Sequence, residues 1–481
     1  MKEKSVEKNY IYNLIYQMLV VVIPLITTPY VSRVLTAEGV GAFSYTTAMV
    51  SYFALVGNLG VATYGQLKIA GSRNDKEKMS KIFYELTILR TVLMSAIMVV
   101  YFFFVFVISK DEYRSLYSIL VIQIIAALID ISWFLQGMEE FKKLVVRNTL
   151  IKLVSTALIF VFVKTPSDLA LYAIIMNGAT LLGNLSIWFF LPKYLTKFRL
   201  TGMHPFEHFM PCVSYFIPTV ATAIYLTLDK TMIGWFTNTS AENGFYEQAH
   251  KIEQMAVTVV TSLSIVTMPR MAYLFQNNEL EKLKDRLEQT IKFILLISIP
   301  MCFGMAAVSD SFIPLYLGEG YEKSIILLEI FSLLMVVVGL NNAVGKQVLM
   351  PTGRQSKYNK AVVIGAFTNF ALNLLLIPRL YSIGAAIASV AAETVILVLF
   401  TLDSRDFVTG KWMVRSSLKY AVSGIVMFVL IRLSYRFLDV SWGHLIIQIL
   451  IGIIAYFAVV FVLRDKFAID GAKKIISKVK R

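Results

Sequence analysis

The chain has 481 residues, of which 57% are hydrophobic and only 16% are charged. A soluble globular chain is about 45–50% apolar and about 25% charged, so too few charges remain here to cover a soluble surface. The composition therefore excludes a soluble enzyme, a disordered chain and a secreted disulfide scaffold. Cys212 and Cys302 stand in separate apolar stretches without zinc-ligand or disulfide-framework spacing, which predicts packing roles and no metal site.

Fourteen stretches are long and apolar enough to cross a membrane as helices, since a crossing needs about 20 residues. The connections are short, and the longest lie around 66–82, 192–209 and 274–290. The sequence therefore predicts an all-α polytopic membrane protein. The predicted spans are Ile11–Ser32, Val40–Leu59, Phe83–Ile108, Leu116–Gln136, Val146–Val163, Leu169–Leu191, Met210–Phe236, Ile252–Tyr273, Ile291–Val308, Ile325–Val344, Tyr358–Ile377, Ser382–Leu402, Leu418–Phe437 and His444–Leu463.

The distribution of lysine and arginine predicts the orientation of these spans. With the N-terminus in the cytoplasm, the inside segments hold 33 of the 46 lysines and arginines and the outside loops hold 9. Cytoplasmic loops carry such an excess, so both termini are predicted to be cytoplasmic. The net charge of +15 then reflects basic loops beside anionic lipid, and no nucleic-acid partner is expected.

Two short segments resemble each other and indicate an internal repeat. Thr36–Tyr45 follows the first predicted span and Ser240–Gln248 follows the seventh; both contain Ala-Glu, then a glycine and an aromatic residue. Six spans separate them, which predicts two pseudo-symmetric six-helix lobes in the same orientation, in residues 1–200 and 201–405. Residues 406–481 then form two additional helices and a basic cytoplasmic tail.

Ionisable residues inside spans are costly, so they face a cavity or a partner. Arg90 and Lys152 can face a cavity, or their long side chains can reach the cytoplasmic headgroups. Asp130 can pair with Lys152, and Glu393, near the middle of its span, can pin its helix to a neighbour. The ionisable residues within the predicted spans that raise this question are Arg90, Asp130, Lys152, Asp229, Lys230, Glu329 and Glu393.

Three segments resemble polysaccharide flippases of the Wzx type, in the multidrug/oligosaccharidyl-lipid/polysaccharide exporter superfamily. Pro29–Tyr45 resembles the first outside loop of that family, Pro351-Thr-Gly-Arg354 resembles the loop before span 11, and Asn373–Ser389, followed by Glu393, resembles the signature of spans 11 and 12. The resemblance covers essentially the whole chain. It implies a protein of the cytoplasmic (inner) membrane that moves undecaprenyl-pyrophosphate-linked oligosaccharide repeats between leaflets by alternating access, for capsule, O-antigen or exopolysaccharide assembly.

That function suggests roles for the candidate residues. A pyrophosphate requires cations, and Arg33, Arg90, Lys152, Lys230 and Arg270 are the candidate substrate contacts. Glu393 and Asp130 are candidate sites for coupling to a proton or sodium gradient. No cofactor and no catalytic residue is expected, and a polysaccharide polymerase and chain-length machinery are the expected protein partners.

Other functions remain open at this stage. A multidrug and toxin extruder or a lipid II flippase would share the superfamily fold; the outside loop argues against the first, and the absence of arginine from the middle of span 1 argues against the second. A membrane polymerase or glycosyltransferase would need a large outside loop or a cytosolic nucleotide-sugar domain, and the sequence shows neither.

Overall fold

The computed structural model describes residues 6–197, 201–437 and 439–479, which are helical with short connections and contain no strand. Eleven of the described helical segments are long and apolar enough to cross a membrane. In hydrocarbon no water can bond the backbone, so a spanning segment satisfies its N–H and C=O groups within its own helix. The prediction of an all-α polytopic membrane protein is confirmed.

Sixteen α-helices make up the described chain. Each predicted span except the fourth lies within one of them, or within one helix and a short continuation, and the fourth is divided between α4 and α5. They are α1 (Val6–Asn58), α2 (Val61–Ser72), α3 (Lys76–Phe103), α4 (Asp111–Ile129), α5 (Ser132–Gly137), α6 (Phe141–Phe162), α7 (Leu169–Trp188), α8 (Phe209–Phe236), α9 (Ala241–Gln276), α10 (Leu280–Leu317), α11 (Lys323–Asn341), α12 (Gln355–Leu380), α13 (Ser382–Asp403), α14 (Gly410–Ser434), α15 (Trp442–Val462) and α16 (Lys466–Val479).

Helix α1 contains the first two predicted spans. It breaks at Thr36, whose φ of 59° and ψ of 174° are not helical. That backbone region is almost restricted to glycine and costs about 1–3 kcal/mol for other residues, so the surrounding contacts must hold the kink. Helices α3 and α11 continue as π-helical turns, Phe104–Ile108 and Asn342–Leu349.

Two of the predicted connections are wrong in detail. The connection predicted around 66–82 contains most of helix α2, which is too short to span but buries Ile69 completely. The connection predicted around 274–290 is only residues 277–279, because α9 and α10 continue beyond their apolar parts. Ion pairs between residues three or four apart, such as Lys284 with Glu281 at 3.5 Å, occur along this polar part of α10.

The chain forms two compact units, Met1–Gly244 and Phe245–Arg481. The predicted division into lobes at residue 200 stays a prediction. In the first unit, Phe83, Trp133 and Phe134 form an aromatic centre where α3 meets α5. In the second unit, a continuous core runs through α10 and includes Leu287 and Ile291. Helices α14 and α15 complete that core.

One arginine attaches α14 to the rest of the second unit. Arg432 pairs with Asp310 of α10 and Glu329 of α11, and its guanidinium also donates to the Ala306 carbonyl at 3.0 Å. All three side chains are partly exposed. Glu329, one of the ionisable residues within the predicted spans, therefore takes part in a contact between helices.

Candidate functional site

The two copies of the repeated motif contact each other within the first unit. A Cβ atom added to Gly41 would lie 1.7 Å from the Ser240 carbonyl oxygen, and one added to Gly244 would lie 1.9 Å from the Ala37 carbonyl oxygen. Each copy thus uses its glycine to admit the backbone of the other. Only glycine permits so close an approach, which explains why both copies contain it.

The candidate coupling residue Asp130 lies at a break between two helices. It follows the last residue of α4, and its Oδ1 accepts from the backbone N–H and hydroxyl of Ser132, at 2.9 and 2.5 Å. The carboxylate therefore accepts from the first residue of α5 and stabilises the turn between α4 and α5. The predicted fourth span is interrupted at this point.

Arg90 lies in the interior of the first unit, only 1% exposed. Its guanidinium donates to the carbonyls of Asp130 and Leu128, at 2.5 and 2.7 Å. These carbonyls lie at the C-terminal end of α4, where helical partners are missing and a positive charge is favourable. Arg90 thus has a structural role in this conformation, and the expectation that it faces a cavity or reaches the headgroups is wrong here. The sequence could not show this, because the break in α4 has no proline or glycine to mark it.

The other cations predicted in the first unit are more accessible than Arg90. Arg33 is exposed on α1, three residues before the kink. Lys152 of α6 and Lys230 of α8 are half-buried, while Asp229 beside Lys230 is buried. Their roles in substrate contact stay predictions.

Arg270 lies in a basic cavity of the second unit. The cavity measures about 390 Å³ and lies between the end of α9 and the start of α10. Lys282 and Arg286 line it together with Arg270, and Asp285 is the one carboxylate in the lining. The Arg270 guanidinium is exposed and stacks over the Tyr273 ring, 5.0 Å from the centroid. Three cations around one cavity suit a phosphate-bearing group.

Glu393 belongs to a polar cluster inside the second unit. The Asn341 amide donates to the Glu393 carboxylate at 2.6 Å and to the Glu393 carbonyl at 3.0 Å. The other end of that amide, Oδ1, is buried without a hydrogen-bond partner. Glu253 of α9 is 3% exposed and close enough to Glu393 for their charges to interact. The cluster thus brings carboxylate and amide oxygens together inside the helices.

Glu253 was missed by sequence reasoning. It is the second residue of the predicted eighth span, and its position at that edge made it look like an ordinary loop residue.

Glu85 was missed for the same reason, three residues into the predicted third span. It is buried, and its carboxylate receives the backbone N–H of His204 at 2.8 Å and lies 2.9 Å from the His208 ring. Glu85 therefore fixes the segment that leads into α8.

The segment Asn373–Ser389 forms a close helical hairpin of α12 and α13. Tyr381, at φ 53°, makes the turn, and a Cβ at Gly384 would lie 2.6 Å from the Leu376 backbone. Small residues at such an interface let two helices approach within the membrane. The hairpin thereby positions Glu393, three turns further along α13.

The segment Pro351–Arg354 ties two connections together. Arg354 forms a two-pronged pair with Asp406 and donates to the Asp403 carbonyl at 2.7 Å. The Asp406 carboxylate raises the pKa of Arg354 through this hydrogen bond, and the guanidinium lowers the pKa of Asp406. Arg354 therefore holds the start of α12 against the connection that follows the end of α13.

Comparison with known proteins relates the chain to transport proteins. A family model described as polysaccharide biosynthesis protein matches residues 6–275. The "Putative O-antigen transporter" of Escherichia coli K12 is 23% identical over 412 residues, which is 84% of this chain and 97% of that protein. The "Probable low-salt glycan biosynthesis flippase Agl15" of Haloferax volcanii is 22% identical over 49% of each chain.

Solved structures of similar fold include the lipid II flippase MurJ in an inward closed conformation. Its TM-score is 0.77 at 16% identity, with 94% of this chain and 98% of that chain covered. An inward-facing multidrug resistance MATE family transporter of the MOP superfamily has a TM-score of 0.59 at 14% identity, with 80% and 97% covered. At 16% and 14% sequence identity, the similarity to these two structures shows a shared fold.

Proposed function

The chain belongs to the polysaccharide biosynthesis protein family, and on that premise we propose that it is a flippase for lipid-linked oligosaccharide repeat units. The observation that carries the proposal is the family match over residues 6–275, in a chain whose described part is a set of membrane-spanning helices. The similarity to a putative O-antigen transporter of Escherichia coli and a probable glycan biosynthesis flippase of Haloferax volcanii supports it. A glycan and its phosphates cannot cross hydrocarbon unaided, so a polytopic protein must shield them.

In detail, the substrate is an undecaprenyl-pyrophosphate-linked glycan, and the protein acts by alternating access in the cytoplasmic membrane with both termini inside. It has no enzymatic activity of its own. The excess of lysine and arginine in the inside segments supports this orientation. A polymerase and chain-length machinery then receive the translocated repeat.

Arg270, Lys282 and Arg286 contact the pyrophosphate in the basic cavity of the second unit. Their arrangement around one cavity supports this assignment over that of Arg90, whose guanidinium is engaged by carbonyls. Arg33, Lys152 and Lys230 of the first unit are further contacts with the substrate. A phosphate-bearing ligand interacts well with several cations, because charge-assisted hydrogen bonds are the strong ones.

Glu393 couples translocation to a proton or sodium gradient, together with Glu253. Two neighbouring carboxylates within the helices cannot both stay charged without a cation beside them, and the His250 ring, whose Nε2 lies 3.9 Å from the Glu253 carboxylate, supplies one when it is protonated. The unpartnered Oδ1 of Asn341 supports a bound cation or proton beside them, because a buried acceptor without a partner is costly. Asp130, whose carboxylate accepts two hydrogen bonds from the first residue of α5, stays a predicted coupling residue.

The central experiment is deletion of the gene in its own host. We expect loss of the surface polymer and accumulation of the lipid-linked repeat in the inner leaflet, where an added glycosidase cannot reach it in intact cells. Expression of the intact protein restores both. Normal polymer in the deletion strain, or a change in drug resistance alone, would refute the assignment.

Variants test the two sites. Arg270→Gln removes a charge-assisted contact worth about 1.5–3 kcal/mol, so flipping should fall roughly tenfold or more, whereas exposed Arg405→Gln should leave it unchanged.

Glu393→Gln can still accept from Asn341 but cannot release a proton or carry a charge. Flipping in vesicles should therefore lose its dependence on an imposed gradient. Retained dependence in a folded Glu393→Gln protein would end the coupling proposal.

A further inference from the structure

The first unit has a large apolar groove with a basic end, between α6 and α7. Its volume is about 820 Å³, within the usual range for small-molecule sites. Leu150, Val154 and Leu182 form its walls and are more than half exposed. Such surfaces avoid water, so the groove faces hydrocarbon.

Three cations line one end of this α6–α7 groove, namely Lys142, Lys143 and Arg147. They lie in the first two turns of α6, and Phe189 and Phe190, which directly follow α7, line the groove beside them. Since one helix begins and the other ends here, this end is at a membrane surface. The positive-inside distribution predicts that the surface is cytoplasmic.

The structure holds two of these cations in place. The Arg147 guanidinium donates to the side-chain oxygens of Asn184, at 3.0 Å, and Asn148, at 2.9 Å. Lys143 lies over the Phe190 ring, 5.2 Å from its centroid, and 3.7 Å from Glu140. Lys142 is exposed. Three cations and no carboxylate line this end, and Glu140, which pairs with Lys143, offsets only one of these charges, so the basic end has a net positive charge.

We propose that the α6–α7 groove binds an anionic glycerophospholipid of the membrane. The basic end holds the phosphate, and the acyl chains lie along the apolar walls. Basic pockets between transmembrane helices at the cytoplasmic side bind such headgroups. The proposal rests on the predicted orientation but not on the proposed transport function.

The length of the groove favours a phospholipid over a polyprenyl carrier. From Val146 to Val154 the walls extend eight residues along α6, or about 12 Å at 1.5 Å per residue. One leaflet contains about 15 Å of hydrocarbon, half of the roughly 30 Å core. The groove therefore ends within a single leaflet, as acyl chains do, whereas an undecaprenyl chain is far longer.

Native mass spectrometry of the purified full-length protein tests the proposal. We titrate dioleoylphosphatidylglycerol, dioleoylphosphatidylcholine and undecaprenyl diphosphate. Phosphatidylglycerol should bind the intact protein at least several-fold more tightly than phosphatidylcholine. Near an anionic surface each lysine contributes about 1 kcal/mol, or about fivefold, so Lys142→Glu should weaken phosphatidylglycerol binding by roughly 25-fold.

Two further variants separate the headgroup from the chains. Lys78→Glu is the matched control, an exposed lysine at the start of α3 that does not line the groove, and should change nothing. Ala179→Trp fills the groove and should weaken both phospholipids alike. Equal effects of Lys78→Glu and Lys142→Glu, unchanged binding in Ala179→Trp, or preferential binding of undecaprenyl diphosphate that depends on Lys142 would each overturn the proposal.

Discussion

The contact between the two motif copies allows a sharp prediction for Gly41→Ala. The new Cβ would lie 1.7 Å from the Ser240 carbonyl oxygen, whereas real Cβ contacts are essentially never under 3.0 Å. The difference requires the two backbones to separate by about 1.3 Å. This separation is costly, because the new Cβ and the Ser240 carbonyl oxygen are both attached directly to the main chain, so no flexible side chain can move aside.

The cost follows from that displacement. Overpacking by one methyl group usually costs about 1–3 kcal/mol, and a backbone-to-backbone clash belongs at the upper end. With about 2–4 °C per kcal/mol for chains of 150–250 residues, 3 kcal/mol lowers the melting temperature by roughly 6–12 °C. Gly39→Ala is the control in the same part of α1. Its Cβ would meet Leu35 Cβ at 3.3 Å and the end of the Leu169 side chain at 3.9 Å, and no backbone atom, so its cost should stay below about 1 kcal/mol.

The assay measures the melting temperature of the purified protein in detergent. The protein is heated to a series of temperatures, and the monomer peak that remains is measured by size-exclusion chromatography. Gly244→Ala should resemble Gly41→Ala, since its Cβ would lie 1.9 Å from the Ala37 carbonyl oxygen. The double variant should cost less than the two single costs together, because one separation of the backbones relieves both clashes. Equal melting temperatures for Gly41→Ala and Gly39→Ala, or full additivity in the double variant, would refute the reasoning.

Two further predictions concern contacts that tie helices and connections together, and a third concerns the orientation in the membrane. Arg432→Gln leaves Asp310 and Glu329 without their shared cation. It should lower the free energy of unfolding by about 1–2 kcal/mol, which is less than for a fully buried pair, and an unchanged thermal melt would contradict this. Arg354→Gln should destabilise the protein by less than about 1 kcal/mol at pH 7, since the pair is partly exposed. Because the pKa of Asp406 is lowered in the fold, that stabilisation is present above the ordinary pKa near 4 and is lost as pH falls through the folded value, so the variant and the intact protein should converge in acid melts. A reporter fused after Arg481 should be cytoplasmic, and a periplasmic signal would overturn the predicted orientation.

The spans were predictable because length and apolar composition fix them almost alone. A stretch such as Ser382–Leu402 has no other stable state in a bilayer, and α13 matches it within one residue. Helix α2 was not predictable in this way. It is too short to span and its stability comes from buried contacts such as those of Ile69, which no local pattern reveals.

The candidate site was predictable in residue type but less so in role. Glu393 stood out because a carboxylate near the middle of a span is costly, and the structure places it in a polar cluster as that cost requires. Its neighbour Glu253 did not stand out, because only the packing of α9 brings it there. Arg270 was a candidate only as a cation at a span end, and the cavity that it shares with Lys282 and Arg286 depends on the position of α10.

A charge within a span is therefore weak evidence of substrate contact by itself. Arg90 and Arg432 are both predominantly engaged by protein oxygens, and each holds one helix to another. A guanidinium in such a position cannot bind a pyrophosphate without giving up those bonds, which would leave buried carbonyls without donors. Substrate recognition should then fall to cations whose surroundings are open, and Arg270, exposed beside Lys282 and Arg286, meets that condition. The same reasoning ranks the variants: losing Arg90 should reduce stability first and flipping only in proportion, whereas losing Arg270 should reduce flipping in a protein of normal stability.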